Sequence, residues 1–303
     1  YTKTNSRKER KCKAMYNFHS YVKKNLIINN TKGDKNLLDL SVGKAGDLNH
    51  WIDANVNLLV GIDVNKDNLT NYDDGACNRI FNVESRKKDE EINVSKNTIL
   101  IWGDSSKNIL NGEAANDDLH KYYMDIIYGN IGKNSITNNK LRKFHNLGNI
   151  SKKKGFDVVS CQFSIHYFFE NLQKLNTFLN NVSKSLKRGG VFIGTCLNGK
   201  RVFEELKDQY EIYNYDDTLC WKITKKYNSK IFKADETSLG LEIDVFNESI
   251  GITIKEYLVN LDYLVDLCLI YNLQLVENKS FKEVFEGISN VDYGDMSTMN
   301  EQL

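Results

Sequence analysis

Gln162, His166 and Tyr167 place an amide, an imidazole and a phenol in one short stretch, Cys161-Gln162-Phe163-Ser164-Ile165-His166-Tyr167. The stretch follows an apolar run, Phe156-Asp157-Val158-Val159-Ser160, that reads as a buried strand. Aromatic Phe168 and Phe169 come next. In open α/β sheets, ligands bind beyond the carboxyl ends of the strands. These side chains therefore sit where such a sheet would meet a small molecule.

A second stretch points to the same place independently. Leu37-Leu38-Asp39-Leu40 runs into Ser41-Val42-Gly43-Lys44-Ala45-Gly46, and a helix opens at Asp47 and continues through Trp51. Small residues let a ligand approach the backbone, and a helix start offers unpaired N–H groups. The next apolar strand, Asn57 to Ile62, ends in Asp63. An acid about 20 residues after a glycine turn, closing the second strand, is the usual partner of ribose hydroxyls. The plainer reading is a βαβ unit with a tight turn and a solvated aspartate.

The elements that must position these residues follow a strand–helix alternation. A helix is expected over 11–27, from the spacing of Met15, Phe18, Tyr21, Val22 and Leu26. Strands and helices alternate over 37–104, ending in Thr98–Trp102 and Gly103-Asp104. Residues 129–154, rich in Gly, Asn, Ser and Lys, read as a flexible surface insertion. The core resumes with strand 156–162, helix 170–187, the turn Arg188-Gly189-Gly190 and strand Val191–Thr195. This order implies a mostly parallel sheet covered on both faces. After residue 200, the segments Glu211–Tyr213, Thr218–Ile223, Lys230–Lys233 and Leu241–Phe246 suggest a small antiparallel insertion. A helix near 253–271 and a strand near 273–277 are expected to return to the core.

The chain has 303 residues, 41% of them hydrophobic, and a net charge of +1, so no global field draws it to nucleic acid or membrane. Its first 25 residues are rich in Lys and Arg, either a phosphate-binding arm or a solvated tail. No run reaches the roughly 18 apolar residues of a membrane span. The six cysteines form no C-x-x-C pair, and no His stands at zinc-ligand spacing. They read as reduced thiols of an intracellular protein without a metal site. Proline is absent, a compositional bias of the kind an AT-rich parasite or large-virus genome produces. The chain begins at Tyr and lacks a signal-peptide pattern, which suggests a piece of a longer polypeptide.

Taken in order, these motifs resemble the mRNA cap guanine-N7 methyltransferases, from about Asn17 to Phe285. The family's early helix, N-F-N-N-W-x-K, is similar to Asn17-Phe18-His19-Ser20-Tyr21-Val22-Lys23. Its L-D-L-G-C-G-K-G-G-D-L-x-K-W resembles Leu38 through Trp51, and its A-D-S-S resembles Gly103-Asp104-Ser105-Ser106. C-Q-F-x-x-H-Y is matched at every fixed position by Cys161–Tyr167. G-G-x-F-I-G-T appears as Gly189–Thr195, and E-F/Y-L-V as Glu256-Tyr257-Leu258-Val259. Three departures stand out. Ser41 replaces the first glycine of the turn, and His19-Ser20 replaces the paired asparagines. No match to the family's final strand, which carries a late cap-contacting Tyr, occurs before Leu303.

The resemblance implies a class I S-adenosylmethionine-dependent methyltransferase: a Rossmann-like, mostly parallel seven-stranded α/β sheet with a small antiparallel insertion near 210–250. It divides the chain into a basic arm and helix (1–30) and a methyltransferase domain (31–303). It implies S-adenosylmethionine as donor, S-adenosylhomocysteine as product and the capped 5′ end of mRNA as acceptor. Carried over by position, Lys23, Ser41, Gly43, Asp63, Asp104, Gln162 and Tyr167 would hold the donor, with Asp104 near the adenine. His19, Ser20, Lys44, His50, Arg79, His166 and Glu256 would hold the cap. His166, Tyr167 and Glu256 would align the reactants, with no acid–base residue and no metal. Further capping domains or subunits are implied as partners. A cellular member would work in the nucleus, a viral one in a cytoplasmic factory or virion.

Other readings of the same residues stay open. His166 could be a satisfied core histidine, Phe169 plain packing, Arg79 a solvated helix residue. Glu256 could be an acid complementing the start of a helix. The chain could methylate a small molecule or another RNA position, or bind RNA or donor without catalysis.

Overall fold

The structure, a computed structural model, describes residues 12–86, 94–216 and 218–288. The basic run before Cys12 lies outside the described residues. Two compact units are present: residues 23–164 with 173–195, and residues 12–22, 165–172 and 196–288 of the described chain. Helix α1 (Lys13–Thr31) contributes to both.

The first unit holds five parallel strands: β1 (Leu37–Asp39), β2 (Leu59–Asp63), β3 (Thr98–Trp102), β4 (Phe156–Gln162) and β5 (Leu186–Thr195). Their order is β3-β2-β1-β4-β5. Every residue of β2 is buried and all but one of β4, the near-continuous apolar pattern of a sheet covered on both faces. The unit also carries α2 (Leu48–Asp53), α3 (Lys66–Thr70), α4 (Ala76–Arg86), α5 (Asp118–Tyr128) and most of α6 (Leu172–Ser185). Trp51 of α2, Leu69 of α3 and Ile80 of α4 join Leu37, Leu59 and Val158 in one core. The expected turn at 188–190 is an excursion inside β5, where the register jumps from Phe156↔Leu186 to Val158↔Val191. Gly189 there has φ +75°, which favours glycine.

Residues 129–154 include three short 3-10 turns, and Ile136, Phe144 and Leu147 of this segment are buried. These three apolar side chains anchor the segment, while Ile150 is exposed.

The second unit is built on an antiparallel sheet, β6 (Glu211–Asp216), β7 (Thr218–Lys225), β8 (Glu242–Asn247) and β9 (Thr253–Tyr257), in that spatial order. Helices α7 (Gly199–Glu205), α8 (Leu261–Ile270) and α9 (Phe281–Glu286) complete it. Ile223, Ile243 and Val245 pack with Val202, Leu206 and Leu258. Asn260 caps α8 by accepting from Tyr263 N–H, and its amide donates to the Lys233 carbonyl at 2.7 Å.

Five expectations do not hold among the described residues. The parallel sheet has five strands rather than seven among the described residues, whereas the expected antiparallel insertion is present as a sheet of its own. Residues 253–257 are strand β9 rather than the start of a helix, since Thr253-Ile254 favours extended backbone and β8 offers a ladder. Residues 273–277 are irregular, with Leu275 and Val276 exposed, and Lys230–Lys233 is also irregular. The cysteines are not all thiols: Cys12 and Cys220 form a disulfide across 208 residues of sequence. No local spacing could reveal a pairing that distant. In the same region Tyr16 donates to Asn247 Oδ1 at 2.6 Å and accepts from Ser249 N–H. Phe18, fully buried, meets Phe281 and Phe285 edge to face. No helix among the described residues is long and apolar enough to cross a membrane.

Candidate active site

In the first unit, the turn after β1 is held from below by its own acids. Ser41 N–H donates to Asp39 Oδ1 at 3.0 Å, and Gly43 N–H donates to Asp63 Oδ2 at 2.8 Å. Asp63 Oδ1 also accepts from Asn65 N–H and the Asn68 amide. A carboxylate has about four acceptor positions, so three are filled and one remains for a ligand hydroxyl. Gly43 has φ +54°, and a Cβ built on it would meet nothing within 4 Å. The turn is thus a cradle open on its upper side, which fits a ligand laid against the backbone. Gly61 in β2 is there for close packing, since a Cβ would stand 2.8 Å from Val42 Cγ2.

Charge around the turn is mostly negative. Burial drives the Asp39 carboxyl up to about 7, with Asp47 and Asp63 pushing the same way and the Ser41 N–H and Lys23 opposing. Burial also raises Asp63 against its three hydrogen bonds. Lys23 Nζ lies 2.6 Å from Asp47 Oδ1 and 6.0 Å from the centre of the Phe163 ring. His50 Nε2 lies 3.8 Å from the same Asp47 oxygen, and burial lowers its pKa. Asp39 and Asp47 have no assigned role in the sequence reading, although both stand in the motif that carries the turn.

At the end of β4, Gln162 is fixed in orientation. Its amide donates to Ser160 Oγ, and its carbonyl accepts from Thr195 Oγ1, both at 3.1 Å. The next residue, Phe163, has φ +53°, a strained backbone for a side chain of that size, and its N–H donates to the Thr195 carbonyl at 3.0 Å. Thr195, the last residue of the glycine-glycine motif, is therefore the clamp of this strand end, a role that only the β4–β5 register reveals. Asp104 Oδ1 accepts from Ser106 N–H and Oγ, and Asp104 N–H donates to the Ala114 carbonyl. Lys44 Nζ is paired with Asp74 at 2.6 Å, and Arg79 is half-buried on α4.

The second unit contains the other constellation. His166 lies in the 3-10 turn Ile165–Glu170, 5% exposed, and neither ring nitrogen has a hydrogen-bond partner. Glu256 Oε1 is 3.6 Å from His166 Nε2, and the Tyr167 ring stands 4.2 Å away, edge on. Glu256 is opposite Ile243 in the β8–β9 register and shares its buried face. A carboxyl thus occupies a position that alternation would give to an apolar residue. Burial pushes Glu256 up to about 7 and His166 down to about 3. Taking both groups out of water outweighs their mutual attraction, so both tend to neutrality. His19 meets the Phe281 ring at 5.4 Å, and Ser20 follows it on α1.

A parallel α/β sheet in the order 3-2-1-4-5, with an open glycine turn after β1 and an acid ending β2, defines the fold of class I S-adenosylmethionine-dependent methyltransferases. The family model for the mRNA (guanine-N(7))-methyltransferase domain matches residues 1–302, and the chain belongs to that family. It is similar to a probable mRNA-capping enzyme of Acanthamoeba polyphaga mimivirus, 27% identical over 91% of this chain and 22% of that protein. It is also similar to the mRNA cap guanine-N(7) methyltransferase of Candida albicans, 27% identical over 89% of this chain and 53% of that protein. With mRNA cap guanine-N(7) methyltransferase 1 of Arabidopsis thaliana the identity is 25% over 88% of this chain and 60% of that protein. The chain therefore spans between 22% and 60% of the length of these relatives.

Proposed function

We propose that this chain transfers a methyl group from S-adenosylmethionine to N7 of the cap guanine of mRNA. The observation that carries this reading is the buried His166–Glu256 pair, an imidazole with both nitrogens unsatisfied beside a carboxyl on the apolar face of β9. A buried polar group without a partner costs about 1–3 kcal/mol, and a planar ligand with complementary donors and acceptors would recover it. Guanine offers N–H donors on its Watson–Crick edge and a carbonyl beside them. Glu256, ionising as it meets those donors, would fix the base and favour the positive charge that N7 methylation creates. Neutral His166 would supply one further donor and one acceptor.

The donor would lie against the Ser41–Gly43 turn, with its ribose on Asp63, its adenine by Asp104 and its amino-acid end toward Lys23, Gln162 and Tyr167. Bound there, it supplies an activated methyl on a sulfonium. Guanine N7 has a free lone pair and loses no proton on methylation. The residues therefore bind, orient and exclude water, with no base required. Lys44, Arg79, His50, His19 and Ser20 would contact the rest of the cap. The Lys44–Asp74 pair, with Asp74 45% exposed, is no obstacle. Such pairs are worth about 0–1 kcal/mol, less than a charge-assisted phosphate contact. Further capping activities on a longer polypeptide or a partner subunit would supply the GpppN end. The place of action would be a nucleus or a viral factory.

The test compares Glu256→Ala and Lys44→Ala against GpppRNA and ApppRNA at two salt concentrations. Loss of a base contact should erase the guanine preference and leave the salt slope alone, whereas loss of a phosphate contact should do the reverse. If Glu256→Ala keeps the guanine preference, the pair does not face the base.

A further inference from the structure

Helix α6 carries a polar side chain at the centre of the first unit. Asn181 is fully buried, one turn on from the core residue Phe178. Its amide donates to the Lys107 carbonyl at 2.7 Å and to the Ser105 carbonyl at 3.0 Å. Its own carbonyl accepts from Ile109 N–H at 3.3 Å. Both donors of the amide are thereby used, and all three partners lie in the loop that begins at Asp104. Ser105 Oγ donates in turn to the Leu40 carbonyl at 2.7 Å, at the root of the glycine turn. The loop is thus fastened on one side to α6 and on the other to the end of β1.

We propose that Asn181 is a positioning residue for the adenine end of the donor. It sets the height of the Asp104 loop above the sheet, so that Asp104 can recognise the adenine amino group. Both bonds from Ser106 go to Asp104 Oδ1, which leaves Oδ2 as the oxygen a ligand would meet. A loop has many conformations at similar energy, and a carboxylate on it selects a base only if the backbone is fixed. A buried amide that ties three backbone groups fixes it with geometry no apolar side chain could reproduce. The inference rests on the donor reading above and adds a residue to it.

The experiment measures binding of S-adenosylhomocysteine and S-inosylhomocysteine, in which the adenine amino group is replaced by a carbonyl. Wild type, Asn181→Leu and Ser105→Ala are compared, with thermal unfolding of each. Asn181→Leu should weaken S-adenosylhomocysteine binding at least about tenfold and leave S-inosylhomocysteine binding nearly unchanged, so the preference for adenine collapses. Ser105→Ala should shift the preference the same way by a smaller factor, and it decides the matter if Asn181→Leu does not fold. A role confined to stability would lower the melting temperature and keep the ratio of the two affinities. An unchanged ratio in the folded variants overturns the proposal. Wild type that binds neither ligand overturns the donor reading, and this proposal with it.

Discussion

At the residue scale, Asp63 does two jobs at once. Three N–H donors converge on its carboxylate, from Gly43, Asn65 and Asn68, before any ligand arrives. Asp63→Ala should therefore lose about 1–3 kcal/mol of stability from orphaned donors, read by urea unfolding, and at least about tenfold in S-adenosylhomocysteine affinity. Wild-type affinity in that variant would place the ribose elsewhere. The His166–Glu256 pair makes a pH prediction. His166 falls from 6.5 to about 3 on folding, so its contribution is present above 6.5 and is lost as pH drops toward 3. Glu256 rises from 4.5 to about 7, so its contribution is present below 4.5 and is lost as pH climbs through 7. Glu256→Gln should thus gain in melting temperature relative to wild type between pH 5 and pH 8. Parallel curves would show that the carboxyl is not buried as described. The sequence named both residues through their motifs. It could not show that they meet, because the contact joins the 3-10 turn after β4 to strand β9, far apart in sequence.

The element scale shows which parts of the chain announce themselves. Strands β2 and β4 were legible because burial on both faces writes an unbroken apolar run, and the acid and amide at their ends followed. Strand β9 was not, because Thr253-Ile254-Lys255-Glu256-Tyr257 mixes charge into a ladder that only β8 justifies. Residues 273–277 mislead in the other direction: apolar alternation is present, but no described strand pairs with them. Asn181 was missed for a related reason, since an asparagine on an amphipathic helix reads as solvated unless its partners are known. The contact between β2 and the glycine turn gives the prediction at this scale. Gly61→Ala would drive a methyl against Val42 and Leu100. Overpacking of this kind costs about 1–3 kcal/mol, and it should weaken donor binding together with stability. Unchanged denaturation and binding would mean that the turn does not rest on β2.

At the scale of the whole molecule, one covalent link spans most of the chain. Cys12–Cys220 closes a loop of 208 residues, for which chain entropy gives an upper stabilisation of about 5 kcal/mol. Reduction, or Cys220→Ser, should lower the melting temperature by the same amount, and the two treatments together should add nothing. A melting temperature indifferent to reductant would show that the two cysteines stay apart in solution. The larger division, into a unit with the glycine turn and a unit with the His166–Glu256 pair, was not legible in the sequence, because it cuts the Cys161–Tyr167 motif between Ser164 and Ile165 and leaves Lys44, His50 and Arg79 with the glycine turn. Donor-type motifs fell almost wholly in one unit, and His19, Ser20, His166 and Glu256 in the other. The most direct measurement is transfer of labelled methyl from S-adenosylmethionine to GpppG-capped RNA, with the product digested to nucleosides. The predicted result is label in 7-methylguanosine alone for wild type, and at least about tenfold less of it for Asp63→Ala when the donor is limiting. Label on a ribose 2′-oxygen or on an internal base, or no transfer by the folded wild-type chain, would contradict the account.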